Sequence, residues 1–298
     1  MLNCLANNRN MEKFNEESAL ENPEAQNNEF LEILKNRTKE IKERQPRLPL
    51  DDEGRIDPNA YKEIYSSSVE EDWQKVQEKE KEFIPQDEIE KHQAANGEIA
   101  ELITFVELYK FLHQKYYVAR ASRYDDIFHH VDTVIMNKGT DIKNKGAGEI
   151  VCTIDETSAY KEEYTNEKIQ KLHKSNLKGV DLKYAFKIEK EKNIPHLILS
   201  SAEEVPVFCL FLGTNEINDN SDKIKSSNLD TMSDFDKKVF YDFINIVNKE
   251  IESIERYTQQ VSPTSGNTRV LAKAKQFVSD VSTMYPEIFN SDVENLLK

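Results

Sequence analysis

The feature that most constrains this chain is a change in the spacing of its apolar residues close to residue 120. Before that point, apolar residues from Ile99 to Tyr116 recur at helical intervals and form a stripe broad enough to face a core. After it, apolar residues come in short runs rich in β-branched and aromatic side chains, at 130–136, 149–154, 182–188, 196–199 and 205–212. A long helix followed by several short strands predicts an α/β domain.

The order of these elements predicts a small mixed sheet with flanking helices over residues 97–213. The long helix is expected at about 87–119, and the turn-like sequence NKGTDIKNKGAG is expected to join the first two strands as a hairpin. Residues 164–174 have helical spacing and lie between the second and third strands. The α/β core is therefore expected to contain both hairpin and helical connections.

Helical extensions are expected on both sides of this core. Residues 1–28 are rich in Asn and Glu and are expected to be disordered, because they offer little apolar surface to bury. Residues 29–96 are expected to form a helical extension, with a Pro- and Asp-containing linker at 46–67. Residues 214–298 are expected to form C-terminal helices, interrupted at 262–266.

The charge distribution bears on possible partners. The net charge is −15, with −10 in residues 1–100, +1 in residues 101–200 and −6 in residues 201–298. The acidic flanks repel polyanions and are candidates for contact with a protein partner. The lysine-rich segment 161–192 is the candidate contact with nucleic acid, although a solvated surface explains the same lysines.

Several classes of protein are disfavoured by what the sequence lacks. The three cysteines have neither metal-ligand nor disulfide spacing, and the sequence contains no secretory signal or membrane-spanning run, so a cytoplasmic location without membrane contact is expected. The G-x-S-x-G, P-loop and dinucleotide-binding motifs are also missing. Nucleophilic hydrolases, nucleotide switches and dinucleotide oxidoreductases are therefore disfavoured.

Acidic residues gather around the first two predicted strands, and they are the candidates for chemistry. Asp125 and Asp126 precede the first strand, and Asp132 enters it. Asp155 and Glu156 end the second strand. Carboxylates at neighbouring strand ends suit Mg²⁺ or Mn²⁺, which prefer oxygen ligands and can activate water against a phosphodiester. The sequence therefore indicates a possible divalent-metal site.

The order of helix, Asp-bearing strand, acidic-ended strand and helix resembles the core of the PD-(D/E)XK nuclease superfamily, which has a restriction-endonuclease-like fold. The resemblance covers about residues 97–213 and implies metal-dependent hydrolysis of DNA or RNA. It assigns the metal to Asp132 and Asp155, with help from Glu156 or Asp126. It also implies an accessory carboxylate on the preceding helix, either Glu101 or Glu107.

The sequence departs from this family where a catalytic lysine is expected. The residue two positions after Asp155 is Thr157, which carries no positive charge. The resemblance then implies a relocated lysine, with Lys168, Lys171 and Lys183 as candidates. The alternative is a non-catalytic interaction protein that keeps the nuclease-like fold.

Each carboxylate also has a purely structural interpretation. Asp125 and Asp126 can cap a helix or form a turn, since Asp readily accepts bonds from nearby backbone N–H groups. Asp155 can belong to a turn at a strand end. Asp132 can form an ion pair with an arginine such as Arg120 or Arg123.

Overall fold

A computed structural model of the protein describes residues 23–139, 148–157, 178–191, 194–260 and 265–286. The α-helices in these ranges are α1 (Pro23–Arg44), α2 (Lys62–Tyr65), α3 (Ser68–Glu80), α4 (Glu88–Leu112), α5 (Arg123–His129), α6 (Thr214–Ser226), α7 (Asp234–Gln260) and α8 (Ser265–Met284). The strands are β1 (Tyr116–Arg120), β2 (Thr133–Asn137), β3 (Ile150–Thr157), β4 (Val180–Glu191), β5 (Ile194–Val205) and β6 (Val207–Phe211).

The central sheet has four strands in the order β1-β2-β3-β6. Strands β1, β2 and β3 pair antiparallel, whereas β6 runs parallel to β3. Strands β4 and β5 form a separate antiparallel pair. The fold is therefore α/β with a small mixed sheet, as the change in apolar spacing predicted.

The sheet separates two hydrophobic cores, because alternate side chains of a strand face opposite sides. On one side, Val118 and Ile135 pack in a cluster with residues of α1, α4, α6, α7 and α8. On the other side, Ala119 and Val134 pack with β4 and with apolar residues of segment 48–61. Helix α4 therefore covers one face of the sheet, and the β4–β5 pair and an N-terminal segment cover the other.

The boundary between the long helix and the sheet differs from the prediction. The helix was expected to continue to about residue 119, but α4 ends at Leu112 and Tyr116–Arg120 is the edge strand β1. The predicted hairpin between the first two strands is confirmed by the antiparallel pairing of β2 with β3. Tyr116 fitted the apolar stripe, so the sequence alone did not mark the change of structure.

The segment expected to be a linker is part of the folded core. Leu48, Ile56 and Tyr61 are fully or almost fully buried. The backbone of Ile56 donates to the carbonyl of Arg120 at 3.0 Å, and Arg120 in turn donates to the carbonyl of Gly54 at 3.0 Å. Residues 54–56 therefore add a short backbone pairing to the edge of β1.

Gly54 is required by this close approach. Its φ of +72° lies in the left-handed region, and a Cβ atom at this position would come within 2.7 Å of the Thr38 Cγ2 atom. A larger residue would be strained and would also push α1 away from the segment.

The extensions follow the predicted pattern with one correction. The N-terminal helix α1 begins at Pro23, so residues 23–28 are helical and were wrongly included in the disordered tail. The C-terminal helices α7 and α8 confirm the predicted helical spacing there. The rest of that tail and the helix expected at 164–174 lie outside the described residues.

No helix in the described part of the chain is both long enough and apolar enough to cross a membrane.

We expect Phe111→Ala to lower the free energy of unfolding by about 3–5 kcal/mol, because it removes a fully buried ring from the larger core. The Phe111 and Phe240 rings are stacked, with centroids 4.3 Å apart. Urea denaturation measures the change. Phe83→Ala is the control, since Phe83 is 65% exposed and its loss should change stability by no more than about 0.5 kcal/mol. A loss below about 1 kcal/mol for Phe111→Ala would contradict this packing.

Candidate functional site

Asp132 is held in the sheet immediately before β2. Its backbone N–H donates to the carbonyl of Ile154 at 2.8 Å, and its carbonyl accepts from Ala121 at 2.7 Å. Its Oδ2 atom accepts a hydrogen bond of 2.7 Å from the backbone N–H of Glu156. The carboxyl group is therefore fixed between β2 and β3 by the sheet backbone, and the residue is 8% exposed.

The side chain of Glu156 lies against this carboxyl group. Burial and the charge of Asp132 raise the pKa of Glu156 well above its ordinary value, and the Thr133 side chain offsets part of this rise. Burial, together with the charges of Asp126 and Asp155, raises the pKa of Asp132 to about 6. Two buried carboxyl groups in contact favour a state in which the pair holds one proton and carries a single negative charge.

Glu101 brings a third carboxyl group to the site from α4. Burial and the charge of Asp132 raise the pKa of Glu101 to about 7, although two arginines oppose the rise. Its Oε2 atom lies 2.9 Å from a guanidinium nitrogen of Arg120 and 3.6 Å from one of Arg55. The sequence had offered Glu101 as one of two accessory carboxylates, and the structure brings this one to the site.

Asp126 completes the group at the start of α5. Its carboxylate accepts from Arg55 at 2.9 Å and from Arg123 at 2.7 Å. We call the four acidic residues of this site the carboxylate cluster: Glu101, Asp126, Asp132 and Glu156. The arginines form their ion pairs with Glu101 and Asp126.

A polar cleft of about 540 Å³ opens beside the cluster. It reaches Glu101, whereas Asp132 and Glu156 are not among the residues that line it. The charged lining residues are three arginines and four glutamates, namely Arg55, Arg120, Arg123, Glu53, Glu80, Glu98 and Glu101. The three guanidinium groups are paired with acidic residues of the cleft and of the cluster.

Asp155 is buried but leaves β3 on the side opposite Glu156, since successive strand residues face opposite ways. Its backbone position is paired with Cys209 of β6. Its charge still contributes to the raised pKa of Asp132. The structure therefore brings Glu156, rather than Asp155, against the carboxyl group of Asp132.

Asp125 has a structural role. The hydroxyl of Ser122 caps α5 by accepting from the backbone N–H of Asp125, and the Asp125 carboxylate accepts from the Ser122 hydroxyl in return. The same carboxylate accepts from the backbone N–H groups of Lys183 and Tyr184 in β4. Asp125 therefore attaches α5 to the β4–β5 pair, whereas the helix cap expected at Asp125 is provided by Ser122.

Glu107 does not join the carboxylate cluster, which corrects its expected place in the metal site. It lies further along α4, where its carboxylate is 3.1 Å from the buried Lys110 ammonium. The same ammonium lies 2.9 Å from Asp236 of α7. Burial raises the pKa of Glu107 to about 8, so this group is a second buried ionic cluster inside the helical layer.

Among the candidate lysines, only Lys183 lies in the described part of the chain. Lys168 and Lys171 lie outside the described residues, as does most of the lysine-rich segment 161–192. Lys183 is described, and its ammonium pairs with Asp72 and lies over the ring of Tyr124. It therefore belongs to a different part of the surface.

Metal binding at this site would rest on a carboxylate pair. Within the described ranges, no group of three His, Cys, Asp or Glu residues is arranged to hold a metal ion. Mg²⁺ commonly takes only one or two protein carboxylates and completes its shell with water and substrate oxygens. Asp132 and Glu156 fit that smaller requirement, since they bring two hard oxygen donors together in a buried place.

Sequence analysis missed Arg55. The residue is 5% exposed and contacts both Glu101 and Asp126, yet it belongs to the segment that was interpreted as a linker. The sequence did contain a pattern that indicates a packed segment here: apolar residues alternate at Leu48 and Leu50 and recur at Ile56. Such a pattern is typical of a chain that packs against a sheet.

Comparison of the chain with protein-family models, with curated proteins and with solved structures finds no match of any of the three kinds. The inferences below therefore rest on the residues and geometry of this chain.

We expect Asp132→Asn to stabilise the protein, and to do so more at pH 8 than at pH 5. The pKa of Asp132 is about 6 in the folded chain and about 4 in the unfolded chain. The stability associated with its proton is thus fully present below pH 4 and is lost as the pH rises through 6. Asn removes the resulting repulsion and can still accept the Glu156 N–H bond.

Urea denaturation at both pH values measures this effect, which should be on the order of 1–2 kcal/mol at pH 8. Glu252→Gln, an exposed change on α7, is the control and should have little effect at either pH. An equal stability change for Asp132→Asn at pH 5 and pH 8 would show that the carboxyl group does not titrate in this way.

Proposed function

We propose that the protein is a divalent-metal-dependent nuclease with a PD-(D/E)XK-like core, in which Asp132 and Glu156 bind Mg²⁺ or Mn²⁺. The observation that carries this proposal is the buried pair formed by these two residues between β2 and β3. Burying two carboxyl groups together is costly: burial raises the pKa of both, and the charge of Asp132 raises the pKa of Glu156 further. Such costly arrangements concentrate at functional sites.

The order of elements supports the same proposal. A helix carrying Glu101 precedes a strand entered by Asp132, with β1 and α5 between them, and the next strand ends in acidic residues. Apart from β1 and α5, this is the order on which the resemblance to the nuclease superfamily rests, and the last helix of that order falls outside the described residues. The parallel β6 beside β3 completes a small mixed sheet of the kind expected for such a core.

The geometry changes one assignment within the proposal. Asp155 was the expected second ligand, but it faces away from Glu156, whose carboxyl group interacts directly with that of Asp132. Glu156 is therefore the better second ligand. Asp155 acts through its charge, which raises the pKa of Asp132.

A bound divalent ion would supply an activated water and would neutralise charge on the phosphodiester. The chain's own residues would prepare the site for that chemistry. The Glu101 carboxyl group, with its pKa near 7, is suited to accept a proton close to neutral pH. Arg120 and Arg55 hold this carboxyl group and would supply positive charge to the site in the absence of the motif lysine.

A non-catalytic interaction protein is the second candidate, and one observation favours it. Large apolar side chains are exposed within a short stretch of the N-terminal half, at Ile64, Trp73, Phe83 and Ile84. Exposed apolar groups that occur close together often mark a contact with another protein. The replacement of the motif lysine by Thr157 points in the same direction.

The deciding experiment is Mn²⁺-dependent cleavage of labelled single- and double-stranded DNA and RNA. Asp132→Asn/Glu156→Gln should lose more activity than the ten- to hundredfold typical of residues that only support metal ligands. Glu252→Gln should retain the activity of the unchanged protein, because it lies exposed on α7.

Single variants test whether Glu156 or Asp155 is the second metal ligand. Glu156→Gln should abolish cleavage, whereas Asp155→Asn should leave measurable activity. The reverse order would return the second ligand position to Asp155. Equal background cleavage in the unchanged protein and in a folded double variant would refute the nuclease and favour the interaction protein.

A further inference from the structure

A second cavity, of about 380 Å³, lies between segment 51–59, helix α3 and the start of α5. We call it the tryptophan pocket. Its apolar wall includes Val69, Val76, Trp73 and Tyr124, and its other lining residues are mainly charged or polar. Arg123 lines both this pocket and the polar cleft beside the carboxylate cluster, so the two cavities adjoin.

The indole of Trp73 is unusually accessible for its place on α3. Trp73 lies at helical spacing between the buried Val69 and Val76, so it belongs to the face of α3 that packs inward. It nevertheless keeps 49% of its surface exposed. The cavity accounts for this exposure, because the space beside the indole is not filled by another side chain of the described chain.

The charges around the tryptophan pocket determine which kind of ligand the pocket can bind. Two of its charged groups are already paired: Asp72 contacts Lys183, and Arg123 contacts Glu80 and Asp126. The charged lining residues that remain are Asp51, Asp57, Glu70 and Lys62. The remaining lining therefore carries more negative than positive charge.

Asp51 and Asp57 are both fixed by the local backbone. Asp51 accepts from the backbone N–H groups of Glu53 and Arg55 at 2.9 Å. Asp57 accepts from the backbone N–H of Asn59, also at 2.9 Å, at the start of a 3₁₀ turn. Both carboxylates are therefore positioned before any ligand arrives, which lowers the entropic cost of binding.

We propose that the tryptophan pocket binds an arginine or lysine side chain of a basic partner peptide. The alkyl part of such a side chain would pack on the indole, and the charged end would be attracted both by the ring face and by Asp57 and Glu70. The net charge of −15 adds long-range attraction for a basic partner.

Charge argues against nucleic acid in this pocket. A phosphate beside Trp73 would approach four carboxylates against one lysine and one arginine, and repulsion would oppose its entry. An acidic or neutral peptide would gain nothing from the carboxylates. The proposal does not depend on the nuclease activity, because none of the carboxylate cluster lines the pocket.

Trp73 is the single tryptophan of the chain, so intrinsic fluorescence reports directly on the pocket. A short oligoarginine peptide is titrated into the full-length protein with EDTA at physiological salt, and an oligoglutamate peptide and single-stranded oligothymidylate are titrated in parallel. We expect a saturable change in Trp73 emission with oligoarginine alone. The presence of EDTA keeps the result independent of metal-dependent cleavage.

Matched variants distinguish the pocket from general attraction to an acidic protein. Asp57→Asn should weaken oligoarginine binding at least threefold, whereas Glu78→Gln, an exposed change on α3 that removes the same charge, should not. Trp73→Ala, measured by calorimetry, should weaken binding to a similar extent. Asp132→Asn should bind as the unchanged protein does.

Three outcomes would overturn the proposal. The first is an absence of saturable emission change with oligoarginine. The second is equal weakening by Glu78→Gln and by the pocket variant, which would mean that only overall charge matters. The third is an equal or stronger response to oligothymidylate, which would assign the pocket to nucleic acid.

Discussion

The arrangement of this protein around its sheet depends on how buried negative charge is compensated. Carboxyl groups from α4, α5, β2 and β3 meet in one place, and isolated carboxylates there would have a prohibitive desolvation cost. Arg55 and Arg120 reduce that cost at Glu101 and Asp126. In the Asp132–Glu156 pair the cost is instead reduced by protonation, because burial raises the pKa of both carboxyl groups. The need to compensate buried charge therefore determines both which residues surround the site and how the site is protonated.

Much of the fold could be predicted because it follows from local apolar spacing. The strands β2 and β6 and the helices α7 and α8 each have a regular pattern that matches their structure. Strand β1 was missed because Tyr116 also continues the stripe of α4. The first residues of α1 were missed because the composition of that segment resembles a disordered tail.

The site was predicted only in part, because it depends on contacts between distant residues. The sequence pointed to these strands and offered Asp132, Glu156 and Glu101. It assigned the second ligand position to Asp155 rather than to Glu156, since the choice depends on which side of β3 meets the Asp132 side chain, and that is not visible in the sequence. It could not identify Arg55 either, because nothing local to residue 55 indicates a contact with α4 or α5.

The contact between segment 54–56 and β1 has a consequence for how the protein is made. Residues 54–56 leave the ribosome well before Arg120, yet their backbone partners lie in β1. Arg55 must therefore remain solvated until α4, β1 and α5 have been synthesised and can receive it. The acidic site can therefore assemble only after Glu156 has been synthesised, when the older end of the nascent chain returns to contact the younger part.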